Sequence, residues 1–125
     1  MSEMKSKSRW QSFRYAWSGL VHVLRHEWNV RIELAAAILV IAAGFYLQIG
    51  TIEWAILFLT IGSVIAAEFA NTVAETLVDI ASPDKSEPAR IAKDVAAGGV
   101  LVTALTSIIV GVLILGLPLA RQLMG

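Results

Sequence analysis

Glu68, Asn71, Thr72, Glu75 and Asp79 stand within "AEFANTVAETLVDI", residues 67 to 80, a stretch otherwise made of small and apolar side chains. At about 100° per residue, with Glu68 as origin, Asn71 falls near ~300°, Thr72 near ~40°, Glu75 near ~340° and Asp79 near ~20°. Three carboxylates, an amide and a hydroxyl therefore share one helix face. Two other segments carry related groups: Glu27 and Arg31, four residues apart, precede the first long apolar run, and "AKDVAAGG" puts Lys93 and Asp94 just before the last one. Together they make an inventory of hard oxygen donors and a lysine. It suits a divalent cation held by carboxylates, with phosphate oxygens as the remaining ligands. Zinc is a poor match, because the chain has no cysteine, and His22 and His26 read as polar residues of an interface. No Walker A sequence, GxGxxG turn or GxSxG elbow occurs, so a nucleotide bound here is not held by a standard soluble fold.

These residues must be positioned by membrane helices. The 125 residues are 57% hydrophobic and 16% charged, with mean hydropathy +0.70, beyond the apolar share of about 45–50% usual in soluble domains. Leu34 to Ile52 holds no charge over 19 residues, Trp54 to Ala67 none over 14, and Val95 to Ala120 none over 26. Spanning ~30 Å of hydrocarbon takes about 20 residues, so the middle run crosses only if its helix continues through Glu68. Counting from Trp54, Glu68 then lies ~21 Å deep, ~9 Å short of the opposite edge, and Glu75 reaches that interface. A charge at the bilayer centre costs ~2.5–3.5 kcal/mol on insertion scales, which makes such carboxylates functional candidates. The architectural alternative, pairing with Lys93 or Arg31 to hold the bundle, accounts for fewer acids than are present.

Six Lys or Arg among residues 1 to 33, three among 79 to 94 and none among 48 to 53 place the N-terminus and the second loop in the cytoplasm. Trp10, Phe13, Trp17, Leu20, Val21 and Leu24 recur at three- and four-residue steps opposite Arg14, Ser18, His22 and Arg25, the pattern of an interfacial helix or of one packed on a bundle. "SPDKSEP" breaks the chain between the second and third spans, with Ser86 able to cap a new helix that has Glu87 and Pro88 in its first turn. Gly62, Ala66, Ala70 and Ala74 form a small-residue stripe opposite Glu68, expected to be the packing side of its helix.

The strings "ExxNTxxExxxD" (Glu68 to Asp79), "AKDxAAG" (residues 92 to 98), "SFRYAWSGL" (12 to 20) and "EWNVRIEL" (27 to 34) resemble the small prokaryotic lipid kinases, the diacylglycerol and undecaprenol kinases. The likeness covers nearly the whole chain. It implies an all-α integral membrane fold of three transmembrane helices plus an N-terminal amphipathic surface helix, assembled as a homotrimeric bundle in the bacterial inner membrane. The expected segments are a surface helix over 1–27 and spans over 30–50, 52–80 and 87–122, all in one domain of residues 1–125. The resemblance further implies Glu68 as general base on a lipid hydroxyl, and Glu27 with Glu75 as holders of Mg²⁺. Asn71, Lys93 and Asp94 would complete the phosphate site, with Asp79, Glu87 and Tyr15 also on the ATP or substrate side.

The expected function is ATP-dependent phosphorylation of a membrane lipid alcohol at the cytoplasmic interface, with a water-soluble donor meeting a membrane-bound acceptor. "EWNVRIEL" and "EPARIAKDVAAGG" look more like the branch that takes undecaprenol; diacylglycerol is the alternative acceptor. The balance of ten basic and ten acidic residues offers no case for nucleic acid. A proton-coupled transporter also uses membrane carboxylates, but its site typically lies at mid-bilayer, whereas here the polar groups gather at one surface. A purely structural interaction subunit is the third reading.

Overall fold

The computed structural model describes residues 8–125, and the part of the expected surface helix that falls on residues 1–7 lies outside it. The described chain is helical: α1 (Arg9–His26), α2 (Trp28–Leu47), α3 (Thr51–Ala81), α4 (Glu87–Gly111), a π-helical turn over Val112–Gly116, and α5 (Leu117–Met124). Three helices are long and apolar enough to cross a membrane: Trp28–Leu47, Thr51–Ala81 and the continuous run Glu87–Met124. The chain forms two compact units, one ending at Ile32 and one beginning at Glu33.

In the first unit α1 starts where Ser8 Oγ accepts from the Gln11 N–H at 3.3 Å, satisfying a donor that the first turn leaves open. Arg25 and His26 occupy its last turn, where positive charge complements the helix dipole. Its apolar stripe is uncovered, with Trp10, Phe13 and Trp17 all exposed and the Trp10 and Phe13 rings stacked at 6.2 Å. His22 and His26 stack at 4.2 Å, and His26 Nδ1 bonds the His22 carbonyl at 2.8 Å, a local helix contact with no third ligand-type group among the described residues.

In the second unit the turn between α2 and α3 is tight. Ile49 N–H bonds the Gly44 carbonyl and Gln48 N–H the Phe45 carbonyl, both at 3.2 Å, the double closure that ends many helices with a left-handed residue. That residue is Gln48, at φ 53°, where a Cβ is strained. Gly44 is required for a different reason: an added Cβ would sit 2.7 Å from Trp54 Cη2, because Trp54 folds back over the turn with its ring 4.8 Å from Phe45. We expect Gln48→Gly to raise stability by about 0.5–1 kcal/mol, read from thermal unfolding in detergent, since it removes left-handed strain without touching a contact.

Helix α3, 31 residues long, extends ~46 Å, so about a third of it projects past ~30 Å of hydrocarbon. Its hydroxyls bond their own helix, as Thr60 Oγ1 does to the Ile56 carbonyl (2.7 Å) and Ser63 Oγ to that of Leu59 (2.8 Å), which satisfies them where water is absent. Ser86 Oγ accepts from Ala89 N–H at 3.3 Å to start α4. Further along, Pro118 has no N–H and its ring crowds the carbonyl four residues back. The preceding π turn, in which the Leu117 N–H reaches the Val112 carbonyl, widens the helix there and accommodates the proline.

The core is thin. Among the described residues only five apolar side chains are buried: Val23, Val30, Ala37, Leu57 and Val64. On α3 the buried face is the one carrying Leu57, Val64 and Glu68, while the small-residue stripe is largely open and a Cβ at Gly62 would meet nothing within 4 Å. This corrects the expectation that the small side packs: within one chain α3 turns its Glu68 face inward and leaves the stripe uncovered.

Candidate active site

Glu68 is 3% exposed, the one charged side chain buried among the described residues. Its position follows from the helix period: Leu57, Val64 and Glu68 fall on the same stripe of α3, so whatever covers the apolar pair covers the acid. The carboxyl of Glu33, at the start of the uncharged run of α2, is its neighbour. A cavity of about 140 Å³ is lined by Glu33, Ala36, Ala37 and Val40 of α2, Leu57, Thr60, Ile61, Val64 and Ile65 of α3, and Ser107 and Gly111 of α4.

One turn beyond Glu68, Asn71 Nδ2 donates to Glu75 Oε1 at 3.2 Å. The other amide atom, Asn71 Oδ1, is buried without a partner. An orphaned oxygen beside a carboxylate is the chemistry a hard divalent cation takes, and magnesium characteristically uses one or two carboxylates plus phosphate oxygens and water. The residues present thus fit such an ion, although no three His, Cys, Asp or Glu side chains converge among the described residues.

At the junction of α3 and α4 a polar cleft of about 460 Å³ is lined by Asp79, Ser82, Lys85, Glu87, Arg90 and Lys93, among others. Lys93 Nζ donates to Asp79 Oδ1 at 2.6 Å. Arg90, on the first turn of α4, donates to both Glu87 and Asp94, the latter at 2.8 Å. These pairs are exposed and screened by water, so each contributes little to stability and can exchange partners readily. Lys93 is one of the two side chains, with Arg31, that the architectural alternative requires, and it takes one acid of the three, Asp79. Glu68 and Glu75 remain for other work.

Tyr15 and Glu27 belong to the first unit. Tyr15 lines a shallow polar hollow with Gln11, Arg14 and Ser18. Glu27 is the half-buried residue at the break between α1 and α2, its backbone N–H bonded to the Val23 carbonyl at 2.8 Å. Arg31 lies in that unit too, its guanidinium 5.2 Å from the Trp28 ring centre.

Two residues of the site escaped the reading of the sequence. Glu33 had a signal, as the last charge before 19 uncharged residues, placed much as Glu68 is at the far end of the next apolar run. Arg90 had the i−3 and i+4 spacing to Glu87 and Asp94 that joins charges on a helix surface.

The chain matches the family described as prokaryotic diacylglycerol kinase over residues 14–115. It is 43% identical over 105 residues to the undecaprenol kinase of Bacillus subtilis, covering 83% of this chain and 85% of that protein. It is 39% identical over 121 residues to the diacylglycerol kinase of Synechocystis sp., covering 90% of this chain and 69% of that one. With a match across most of its length and two relatives above a third identical, the chain belongs to the prokaryotic diacylglycerol kinase family and is a membrane lipid kinase.

Proposed function

We propose that the protein transfers the γ-phosphoryl group of ATP to the hydroxyl of undecaprenol at the cytoplasmic face of the bacterial inner membrane, acting as a homotrimer. The observation that carries this reading is a buried carboxylate, Glu68, one turn from Val64 on the wall of an apolar cavity, with the polar groups of Glu75 and Asp79 about two and three turns further along the same helix. An acceptor dissolved in the bilayer and a donor dissolved in water need such a boundary. Glu68 takes the hydroxyl proton as the oxygen attacks phosphorus. Asn71, Lys93 and Asp94 hold the phosphates, while Asp79, Glu87 and Tyr15 support the nucleotide or substrate. Glu27 and Glu75 are the proposed Mg²⁺ holders; when bound, the ion neutralises charge on the phosphoryl oxygens. Positioning and charge neutralisation supply most of the catalysis in phosphoryl transfer, which is what this set of side chains offers. The thin core of one chain and the open stripe around Gly62 support assembly with further copies.

The higher identity to a kinase named for undecaprenol, over more of that protein's length, favours this acceptor over diacylglycerol. Purified protein given radiolabelled ATP, with undecaprenol and diacylglycerol in parallel, tests the choice: preferential label in the polyprenol is expected, and preferential label in diacylglycerol overturns it. Glu75→Gln is expected to raise the Mg²⁺ concentration needed for half-maximal activity by about 10-fold, a typical effect of weakening a metal site. An unchanged Mg²⁺ titration removes Glu75 from that role.

A further inference from the structure

Glu33 has no place in the mechanism above, yet its carboxyl is the neighbour of the proposed base. Its Oε2 is buried without a hydrogen-bond partner. Among the residues lining the apolar cavity it is the one ionisable group, and Val64, which lines it from α3, precedes Glu68 by a single turn. The cavity therefore reaches Glu33 on α2 and Val64 and Ile65 on α3, next to the stripe that carries Glu68, with walls that are mostly apolar.

Two adjoining carboxyls in such surroundings have one favourable arrangement. A carboxylate only accepts hydrogen bonds, so a bond between the two requires a proton on one of them. Two anions side by side with no cation between them repel, and little water is present to screen them. The chemistry decides which one carries the proton, because a base must begin the reaction as the carboxylate.

We propose that Glu33 is a positioning residue for the phosphoryl transfer: as a carboxylic acid it donates its O–H to the Glu68 carboxylate, fixing the rotamer of the base and aiming its free oxygen at the lipid hydroxyl. This rests on the reading of Glu68 as general base. In the step itself the lipid O–H bond breaks as the O–P bond forms. The proton goes to Glu68, and the electron pair of the O–H bond stays on the attacking oxygen. The bond from phosphorus to the bridging oxygen breaks with its electron pair leaving on ADP. Glu33 keeps its own proton throughout, so its part is orientation, and Glu68 returns the acquired proton to water after the products leave.

The distinction from a lining residue is measurable. Glu33→Gln retains an N–H donor of nearly the same length, whereas Glu33→Met keeps the volume and loses the donor. Steady-state radiolabel transfer by full-length protein in lipid bicelles, with undecaprenol and ATP each varied, separates kcat from the two KM values. We expect Glu33→Met to lower kcat by about 10- to 100-fold, the usual cost of losing a group that orients a reactive one, with both KM values and the thermal midpoint held. Glu33→Gln is expected to recover kcat to within about 5-fold of wild type, the worth of a hydrogen bond exchanged for a weaker one. Glu33→Asp keeps the acid but withdraws it by one methylene, and reads the same loss of kcat should Glu33→Met not fold. A wild-type kcat in Glu33→Met, a loss confined to the lipid KM, a wild-type kcat in Glu33→Asp, or a Glu33→Gln enzyme as slow as Glu33→Met each overturns the proposal. Failure of the wild-type protein to label any lipid alcohol is a different result and overturns the lipid-kinase reading instead.

Discussion

Glu68→Gln is expected to lower kcat by about 10³-fold, in the middle of the range for losing a general base. Glu68 is the one charged side chain buried among the described residues, one turn from Val64 on the cavity wall, and the exposed acids lie farther along the helix. Asn71 and Glu75 are engaged with each other one and two turns away, and Asp79 is bonded to Lys93. The substitution is isosteric and removes a buried charge, so the thermal midpoint and the oligomeric state should hold or improve. Radiolabel transfer measures the activity, and size-exclusion chromatography with thermal unfolding in detergent measures the rest. An enzyme retaining more than about a tenth of wild-type kcat shows that the proton leaves by another route, because base catalysis supplies at least ~10²-fold. A variant that is both inactive and unfolded assigns Glu68 to architecture.

The second large effect is at Lys93. Its ammonium is held by Asp79 at 2.6 Å, with the lysine 42% and the aspartate 67% exposed. A pair so exposed is screened by water and contributes little, whereas a lysine on a triphosphate meets several anionic oxygens at once. Under the role proposed for Lys93, a triphosphate entering the cleft draws it away from Asp79, and the resting pair would hold the ammonium at the cleft wall. Lys93→Met should lower kcat/KM for ATP by about 10²–10³-fold, the scale measured for losing one preorganised donor to a developing anion. Lys93→Arg should recover part of that loss, because it keeps the charge but changes the donor geometry. Wild-type kcat/KM in Lys93→Met separates the lysine from the phosphates altogether.

Much of the site was legible along single helices. The phase of Glu68, Asn71, Thr72, Glu75 and Asp79 needs only the α-helical period, and the structure bears out its consequences: Asn71 meets Glu75 four residues on, and Glu68 shares a stripe with Val64 four residues back. The start of α4 at Ser86 was equally local, since a capping hydroxyl three residues before an open N–H is a property of neighbouring residues. Arg90 obeys the same local rules, since its i−3 and i+4 neighbours Glu87 and Asp94 lie on one helix surface.

What the chain alone determined is therefore the set of apolar helices, their ends, the polar face and, through its motifs, the family. Tertiary structure decided which neighbour each face meets. Glu33 stands 35 positions from Glu68, and no period connects residues on two different helices. Their meeting depends on the relative rotation and axial register of α2 and α3, which a tight turn at Gln48 and the packing of Trp54 over Gly44 help to set. The same rotation turned the Glu68 face of α3 inward and left the small-residue stripe outside. Helical phase is a local property that sequence reports directly, whereas the pairing of faces is fixed by the summed contacts of whole helices.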